Sequence, residues 1–334
     1  MNIAVVGATG MVGQKFIQVL QERNVRADNY YLYASKKSAG NKIEMFGKTY
    51  TVIELCEDNI KDKKIDYALF SAGGSISKEY APIFVKYGAT VIDNSSAWRR
   101  EENIPLVVPE VNPEDILWNT GIIANPNCST IQAILPLKAL DDKYKIKRIV
   151  YSTYQAVSGA GKKGYDDLKG GVEGKEPQKF VYPIFSNTLP HIDDFLDNGY
   201  TKEEEKMIFE TRKILHNKDL KITATTVRVP VYNCHSESIN VEFENPFELD
   251  EVYSTLQDFE NLVVMDNPKK NLYPMPCVCD NKDEVFVGRI RRDFSVENGL
   301  NLWVVADNIR KGAATNAVQI LEKILQYKKE GKVK

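Results

Sequence analysis

The chain has 334 residues, of which 43% are hydrophobic and 27% charged, and its formal net charge is −2. This length suggests two domains, and the composition is ordinary for a globular protein. A near-neutral charge excludes the electrostatic signature of a nucleic-acid or anionic-membrane ligand, so we expect a small-molecule partner. There is no run of 18 apolar residues, and MNIAVVGATG enters a strand without a basic flank, so we expect a cytoplasmic protein with no membrane span.

The first 125 residues alternate between strand-like and helix-like patterns. Helical periodicity predicts helices over MVGQKFIQVLQERN and over SKEYAPIFVKYG, the second ending at Gly88. Short apolar runs predict the strands IAVVG, YYLYAS, IDYALFSA, ATVIDNS and TGIIANP. Because strands that alternate with helices form parallel sheets, this half predicts a doubly wound α/β domain.

The pattern changes after residue 127. STIQAILPLKAL predicts a helix, and KIKRIVYSTYQAVSG is long and β-branched, which predicts an extended strand. Later strands are expected at LKITATTVRVPV, SESINVEF and NLWVVAD, with helices at TKEEEKMIFETRKILHN and PFELDEVYSTLQDFEN. This part therefore predicts an α+β domain with a mixed or antiparallel sheet.

A long amphipathic helix is expected at the end of the chain, over RKGAATNAVQILEKILQYKK. We predict a nucleotide-binding domain over residues 1–127, completed by a C-terminal helix at 312–334. The second domain is predicted over residues 128–311.

A glycine-rich loop follows the first predicted strand. Gly7, Gly10 and Gly13 of GATGMVG lie between that strand and the opening of a helix. In this context the backbone N–H groups and the helix dipole can hold a phosphate, whereas the alternative is a tight structural turn.

The second strand ends in YASKKSAG, where NAD-binding folds place an acidic residue for the ribose diol. Ser35, Lys37 and Ser38 stand there instead, and cations with hydroxyl groups suit a 2′-phosphate. The predicted cofactor is therefore NADP. The alternative is that the lysines are simply solvated.

The five cysteines are an odd number at spacings that match no disulfide framework, and PCVC is not a zinc pattern. We expect reduced thiols and no bound metal.

Cys128 differs from the others because it follows ANPN at the start of a predicted helix, where N–H groups lower a thiol pKa. Beside a nicotinamide cofactor, a thiolate favours aldehyde oxidation through a thiohemiacetal and a thioester.

Taken together, a set of motifs resembles the aspartate-semialdehyde dehydrogenase family over essentially the whole chain. They are GATGMVG, ASKKSAG, NSSAWR, VVPEVN, ANPNCST, YQAVSGAG, ETRKI, VRVPV before HSES, and KGAATNAVQI. The resemblance implies an α/β protein with an N-terminal Rossmann-type NADP-binding domain and a second α+β catalytic and dimerisation domain. It also implies a homodimer, with a tetramer as the alternative.

The resemblance implies a reaction as well. L-aspartyl 4-phosphate would be reduced and dephosphorylated, reversibly, to L-aspartate 4-semialdehyde, with NADPH consumed and phosphate released. This step lies on the route to lysine, through diaminopimelate, and to threonine and methionine.

Roles for individual residues come from the same resemblance. Cys128 matches the nucleophile, Gln155 the amide that orients the substrate, and His235 the general acid/base, which suits an imidazole. The substrate-binding residues are Arg228 for the carboxylate, Glu210 for the ammonium, and Lys213 with Arg99 for phosphate. The residues expected to contact the cofactor are Gly7, Thr9, Gly10, Met11, Val12, Gly13, Ser35, Lys37, Ser38, Ser71, Gly73, Ser158, Gly159 and Asn316.

One departure from the family pattern bears on the cofactor. Lys37 stands where an arginine is expected, which weakens the prediction of NADP because a lysine cannot make a bidentate contact.

Two other functions stay open on the sequence. N-acetylglutamyl-phosphate reductase shares the glycine loop and the cysteine, but its substrate has no free ammonium and would leave Glu210 without a purpose. A catalytically inactive dimeric paralogue would be marked by loss of Cys128 or His235, and both are present.

Overall fold

The computed structural model describes residues 1–333 and divides into two compact units. The first unit comprises Met1–Pro126 and Ala313–Lys334, and the second comprises Asn127–Gly312. The boundaries expected from the sequence, 127/128 and 311/312, each lie one residue from these.

The strands are β1 Asn2–Val6, β2 Asn29–Ala34, β3 Lys42–Met45, β4 Lys48–Thr51, β5 Ile53–Glu54, β6 Tyr67–Phe70, β7 Thr90–Asp93, β8 Ile122–Ala124, β9 Ile146–Gln155, β10 Lys221–Arg228, β11 His235–Phe243, β12 Leu262–Val264, β13 Val285–Asp293 and β14 Gly299–Ala306. The helices are α1 Met11–Glu22, α2 Gly74–Lys86, α3 Cys128–Tyr144, α4 Lys162–Val172, α5 Lys202–Ile214, α6 Leu249–Gln257, α7 Pro276–Cys279 and α8 Asn316–Lys329.

A six-stranded parallel sheet, in the order β5-β2-β1-β6-β7-β8, forms the centre of the first unit. The parallel sheet predicted from the alternating pattern is thus confirmed. Helices α1 and α8 bury their apolar faces in one core with β1, including Phe16 and Leu20 of α1 and Ile320 and Leu321 of α8. Full burial of such a side chain contributes about 1.5–3 kcal/mol, which explains why the end of the chain folds with its beginning.

The second unit contains a six-stranded mixed sheet in the order β10-β9-β11-β14-β13-β12. The pairs β9–β10 and β12–β13 are parallel, and the central pairs are antiparallel. This confirms the predicted mixed sheet. Helix α3 contacts β9, β11 and β14, and α5 contacts β10.

The structure differs from the sequence-based elements at several places. The expected C-terminal helix is divided: Arg310–Thr315 is π-helical, and α8 begins only at Asn316. Strand β13 was missed because Gly288 and four charged residues interrupt its apolar alternation, and its register shifts between Gly288 and Arg291. The β3–β4 hairpin, α4, and the short strands β5 and β12 were also missed. Among residues 1–333, no helix is both long and apolar enough to cross a bilayer.

Candidate active site

The glycine loop of the first unit can be built only from glycines at two positions. Gly7 has φ +85°, and a Cβ there would lie 2.3 Å from the carbonyl oxygen of Ser71. A Cβ on Gly13 would lie 2.0 Å from the carbonyl oxygen of Gly7. Gly10 is the N-cap of α1 and has no side chain to cap it, so the first-turn N–H groups are left to an anionic ligand.

The other predicted cofactor residues of the first unit lie on the strands that flank β1. The backbone N–H of Gly7 donates to the carbonyl of Tyr33 near the end of β2, at 2.9 Å, and Ser35 follows directly. Lys36–Ser38 then forms a short 3-10 turn in which Lys37 is exposed. Ser71 and Gly73 follow β6 on the other side of β1.

These segments therefore meet at the carboxyl ends of the adjacent strands β2, β1 and β6. This edge is where doubly wound sheets bind their ligands. The remaining predicted residues of the loop, Thr9, Met11 and Val12, lie between β1 and the first turn of α1.

Asn316 has internal partners. It is fully buried, and its Nδ2 donates to the carbonyl of Val107 at 3.0 Å and to Oδ1 of Asn125 at 2.7 Å. These bonds tie the start of α8 to Val107 and to Asn125, the residue that follows β8. A contact of Asn316 with the cofactor stays a prediction.

Arg99 is held by the backbone of the first unit. Its Nε donates to the carbonyl of Asn125 and its Nη2 to the carbonyl of Asn94, both at 2.9 Å, and the residue is 7% exposed. Two backbone acceptors on separate segments fix the plane of the guanidinium, which suits it to an oriented anion contact.

Cys128 is the first residue of the 17-residue helix α3 and is half-buried. The Asn127 side chain caps this helix, because its Oδ1 accepts the N–H groups of Ser129 at 3.0 Å and Thr130 at 3.3 Å. A Cβ on Gly312 would lie 2.9 Å from Cβ of Cys128, so the π-helical segment can pass this close only as glycine. The thiol thus stands at the positive end of a helix, which favours the thiolate.

Glu210 reaches the same helix start from α5. It is 1% exposed, and its Oε2 accepts the backbone N–H of Asn127 at 2.6 Å. Lys213 follows three positions later on α5, so the two side chains share a helix face as expected.

His235 begins β11 and is fully buried. Its Nδ1 accepts the backbone N–H of Ala156 at 3.0 Å, which assigns the proton of the neutral ring to Nε2. Burial and, after it, the Arg228 charge lower the pKa of the imidazole to about 3, against the opposing effect of Glu203. Nε2 is buried and has no hydrogen-bond partner among residues 1–333, so a neutral donor is available there.

Arg228 ends β10 and lies opposite Gln155 in the register of β9. It is 5% exposed, and its Nη1 donates to the carbonyl of Ala156 at 2.6 Å. Burial lowers the pKa of the guanidinium, while Glu203 and Cys128 act in the opposite direction. A guanidinium has five N–H donors, so this buried cation retains capacity for a carboxylate.

Ser158 and Gly159 lie in the 3-10 turn that follows β9. A Cβ on Gly159 would stand 2.8 Å from Nη1 of Arg228 and 3.3 Å from Nε2 of His235, so the backbone passes closely over both groups. The Ser158 hydroxyl exchanges hydrogen bonds with the Asn308 amide. Their predicted contact with the cofactor stays a prediction.

Gln155 is 1% exposed at the end of β9. Its Oε1 accepts the Thr153 hydroxyl at 3.2 Å, and its Nε2 donates to Oε1 of Glu203 at 3.1 Å. Sequence reasoning missed Glu203, which is 5% exposed in the first turn of α5. A run of three glutamates after Thr201 indicates only a helix start, and the capping-box spacing selects Glu204 instead.

Glu203 is an ionised buried carboxylate. Burial opposes ionisation, but the Lys206 charge and the Gln155 and Asn127 amides outweigh it and lower the pKa to about 2. Oε2 of Glu203 lies 3.1 Å from Nζ of Lys206. The group is therefore charged at every pH at which the protein would be assayed.

Glu237, two residues after His235, is a buried carboxyl of the opposite kind. Burial and then the Glu203 charge raise its pKa well above 4.5. The nearby Ser129 and Gln132 side chains lower the pKa, but by less than burial raises it. Their geometry falls short of a hydrogen bond, and neither oxygen of Glu237 has a hydrogen-bond partner among residues 1–333. The sequence does not single out Glu237, because it is one of several polar residues in the alternating strand HSESINVEF.

Cys234 adjoins His235 but is a core thiol. It is 1% exposed, and burial with the nearby charge of Asp307 raises its pKa. A thiol in these surroundings is a poor nucleophile, in contrast to Cys128.

A glycine loop at the carboxyl edge of a parallel sheet in the first unit, and a cysteine at a helix N-terminus in the second, are the features of a nicotinamide-dependent dehydrogenase, an oxidoreductase. Two family models match the chain. Residues 2–118 match the semialdehyde dehydrogenase NAD-binding domain, and residues 137–311 match the semialdehyde dehydrogenase dimerisation domain.

Known proteins narrow this class. The aspartate-semialdehyde dehydrogenase of Aquifex aeolicus is 56% identical over 97% of this chain and 98% of its own length. The structure of aspartate semialdehyde dehydrogenase II from Vibrio cholerae, complexed with ASA, is 44% identical with a TM-score of 0.93 over 97% of this chain and 98% of that one. The Candida albicans enzyme with NADP is 26% identical, with a TM-score of 0.76 over 97% and 98% of the two chains. The chain belongs to the aspartate-semialdehyde dehydrogenase family, and its dimerisation domain supports a homodimer.

Proposed function

We propose that this chain is an NADP-dependent aspartate-semialdehyde dehydrogenase that acts through a thioester on Cys128. The reaction is the reversible reductive dephosphorylation of L-aspartyl 4-phosphate to L-aspartate 4-semialdehyde, in lysine, threonine and methionine biosynthesis. The observation that carries the proposal is the half-buried Cys128 at the start of α3, in the same unit as the buried donor Nε2 of His235. A cytoplasmic location remains a prediction from the sequence.

The charges of the site support an amino-acid substrate. Arg228 is a buried cation suited to the α-carboxylate, and Glu210 is a buried carboxylate suited to the ammonium. Glu210 already accepts the Asn127 N–H, but a carboxylate has about four lone-pair sites and can accept further donors. Lys213 and Arg99 are proposed to bind the phosphate.

In the first step, the Cys128 thiolate attacks C4 of the acyl phosphate. The new S–C bond places negative charge on the carbonyl oxygen, and we assign Nε2–H of His235 as the donor that stabilises it. When the carbonyl re-forms, the C–O bond to phosphate breaks and phosphate leaves with the electron pair. The product of this step is a thioester on Cys128.

In the second step, the thioester is reduced. A reduced nicotinamide, when bound, supplies the hydride for this step. The oxygen of the resulting tetrahedral centre again carries negative charge toward Nε2–H of His235. Its collapse breaks the C–S bond, which releases the semialdehyde and restores the Cys128 thiolate. The tautomer of His235 therefore supports the donor side of its predicted acid/base role.

The cofactor loop suits a dinucleotide phosphate because Gly10 leaves the start of α1 without a side-chain cap, while Gly7 and Gly13 keep the turn tight. Ser35, Lys37 and Ser38 follow β2, next to the glycine loop, and are exposed or half-exposed. Cations and hydroxyls at this place suit a 2′-phosphate, which supports NADP over NAD.

The test is phosphate-dependent reduction of NADP by aspartate semialdehyde, with Cys128→Ser as the inactive control. We expect one NADPH per semialdehyde consumed and no rate without phosphate. Equal efficiency with N-acetylglutamate semialdehyde would favour the N-acetylglutamyl-phosphate reductase, and NADP binding without turnover would favour the inactive paralogue. Light scattering separates the proposed homodimer from a tetramer.

A further inference from the structure

Glu203 contacts both residues that flank the predicted chemistry of the second unit. Its Oε1 accepts Nδ2 of Asn127 at 2.9 Å and Nε2 of Gln155 at 3.1 Å. All three side chains are at least 94% buried. A single carboxylate oxygen thus joins the cap of the nucleophile helix to the end of β9.

This shared acceptor decides which way round each amide lies. Because Asn127 turns its Nδ2 toward Glu203, its Oδ1 faces the helix and accepts the N–H groups of Ser129 and Thr130. Because Gln155 turns its Nε2 toward Glu203, its Oε1 faces Thr153. If the acceptor were removed, each amide could turn over, and Asn127 would then present a donor to the N–H groups it now caps.

Glu203 is itself held in place. Its Oε2 pairs with Lys206, and Lys206 also pairs with Asp193 at 2.7 Å. The carboxylate therefore has a fixed charge partner on its outer oxygen, and its inner oxygen remains directed at the two amides.

We propose that Glu203 is a positioning residue that orients Gln155 relative to Cys128 by fixing the Asn127 and Gln155 amides on one oxygen. The inference deepens the proposed function and rests on it. Glu203 contributes to turnover through these amides, since a displacement of about 1 Å at a reacting group can cost roughly 10²-fold in rate.

The test is a double-mutant cycle in the full-length enzyme. Glu203→Met keeps the length of the side chain and removes the acceptor. It should lower kcat/KM for aspartate semialdehyde by roughly 10²-fold in the wild-type background. In a Gln155→Ala background the fold-loss of kcat/KM caused by the same substitution should be at least about tenfold smaller, because the amide through which Glu203 acts is already absent. Equal losses in both backgrounds would overturn the inference.

A conservative variant separates acceptor geometry from charge. Glu203→Gln keeps an oxygen that two N–H donors can share, while Lys206 retains Asp193 as a partner. It should recover at least about tenfold of the kcat/KM lost in Glu203→Met. A Gln variant as impaired as the Met variant would show that the charge and not the orientation matters, and would also overturn the inference. Should Glu203→Met fail to fold, the Gln variant takes its place in the cycle.

Glu204 supplies the matched control on the same helix turn. It forms the capping box with Thr201 and accepts the N–H of Thr226 at 3.0 Å. Glu204→Gln should lower the melting temperature and keep kcat/KM within about threefold of wild type. Its effect on kcat/KM should be the same in the Gln155→Ala background as in the wild-type background. Absence of turnover in the wild type would defeat the proposed function, whereas additivity in an active enzyme would defeat only the role of Glu203.

Discussion

The glycine loop of the first unit and the group of candidate catalytic and substrate-binding side chains of the second unit show two ways of building a functional site. In the first unit the ligand groups are backbone N–H groups, and the constraint is local: Gly7 and Gly13 stand six residues apart and touch one another. In the second unit the groups are side chains on α3, α5, β9, β10 and β11, brought together over about 100 residues of sequence. A site built from backbone groups is recognisable in the sequence as a short motif, whereas a site built from side chains corresponds to single residues that are far apart in the sequence.

The largest effect should come from removing the nucleophile of the second unit. We expect Cys128→Ser to lower kcat by roughly 10⁴-fold or more, because an alcohol near pH 7 is a far poorer nucleophile than a helix-activated thiolate. NADP binding, measured by fluorescence titration, should not change. Cys277→Ser removes an exposed cysteine and should retain full activity. Substantial turnover by the serine variant would make Cys128 a bystander.

His235 tests the donor role within the same cluster. His235→Ala should lower kcat by about 10²–10⁴-fold, and His235→Gln, which can still present an N–H, should lose less. Since the imidazole pKa is lowered to about 3, the pH profile of wild-type kcat/KM should show no His235 ionisation between pH 5 and 8. A limb near pH 6.5 that disappears in His235→Gln would assign proton transfer to this ring instead. His216→Gln, at an exposed histidine, should keep wild-type rates.

A charge reversal in the cofactor loop should weaken NADP binding by the first unit and leave the reactivity of Cys128 in the second unit unchanged. Lys37→Glu places a negative charge where the 2′-phosphate is expected, and should raise KM for NADP by about 10- to 100-fold while changing KM for NAD by less than about threefold. The rate of Cys128 alkylation should be unchanged. Lys48→Glu makes the same charge change at another exposed position of this unit and should have no such effect. Equal changes for both cofactors would place the loop away from the phosphate.

The smallest effect concerns stability and the buried carboxyl Glu237. Its folded-state pKa is raised above 4.5, so the folded protein holds the proton more tightly than the unfolded chain. Wild-type stability therefore falls as the pH rises above 4.5, and the proton-binding difference disappears below it. Glu237→Gln should be more stable than wild type at pH 8 and nearly equal to it at pH 4, as measured by urea unfolding.

The exposed Glu244, just beyond the end of the same strand, provides the comparison for this measurement. Glu244→Gln should differ from wild type by less than about 0.5 kcal/mol at both pH values. A Glu237→Gln variant that is less stable at pH 8 than at pH 4, relative to wild type, would show that the carboxyl is ionised and paired.

Local patterns in the sequence were sufficient for the fold and for part of the site. The parallel and mixed sheets followed from how strand-like and helix-like periods alternate, and the cap of α3 is already visible in Asn127 before Cys128. Elements with weak periodicity were missed, as with β13, where Gly288 and the following arginines interrupt the alternation. The family resemblance supplied roles for Arg228 and Glu210 that spacing alone does not give.

By itself the sequence determined the glycine loop, because Gly7, Gly10 and Gly13 follow a strand pattern directly and open a helical one, and the close approach of Gly13 to Gly7 lies within that motif. It also determined the placement of Cys128, since an N-cap is a matter of adjacent residues. Only the tertiary structure decided that the pKa of Glu203 is lowered and the pKa of Glu237 is raised. Both are buried glutamates; the Lys206 charge and the Asn127 and Gln155 amides lower the pKa of the first, whereas burial and the Glu203 charge raise the pKa of the second. A carboxyl pKa depends on charges and donors within a few ångströms, and folding alone chooses those neighbours.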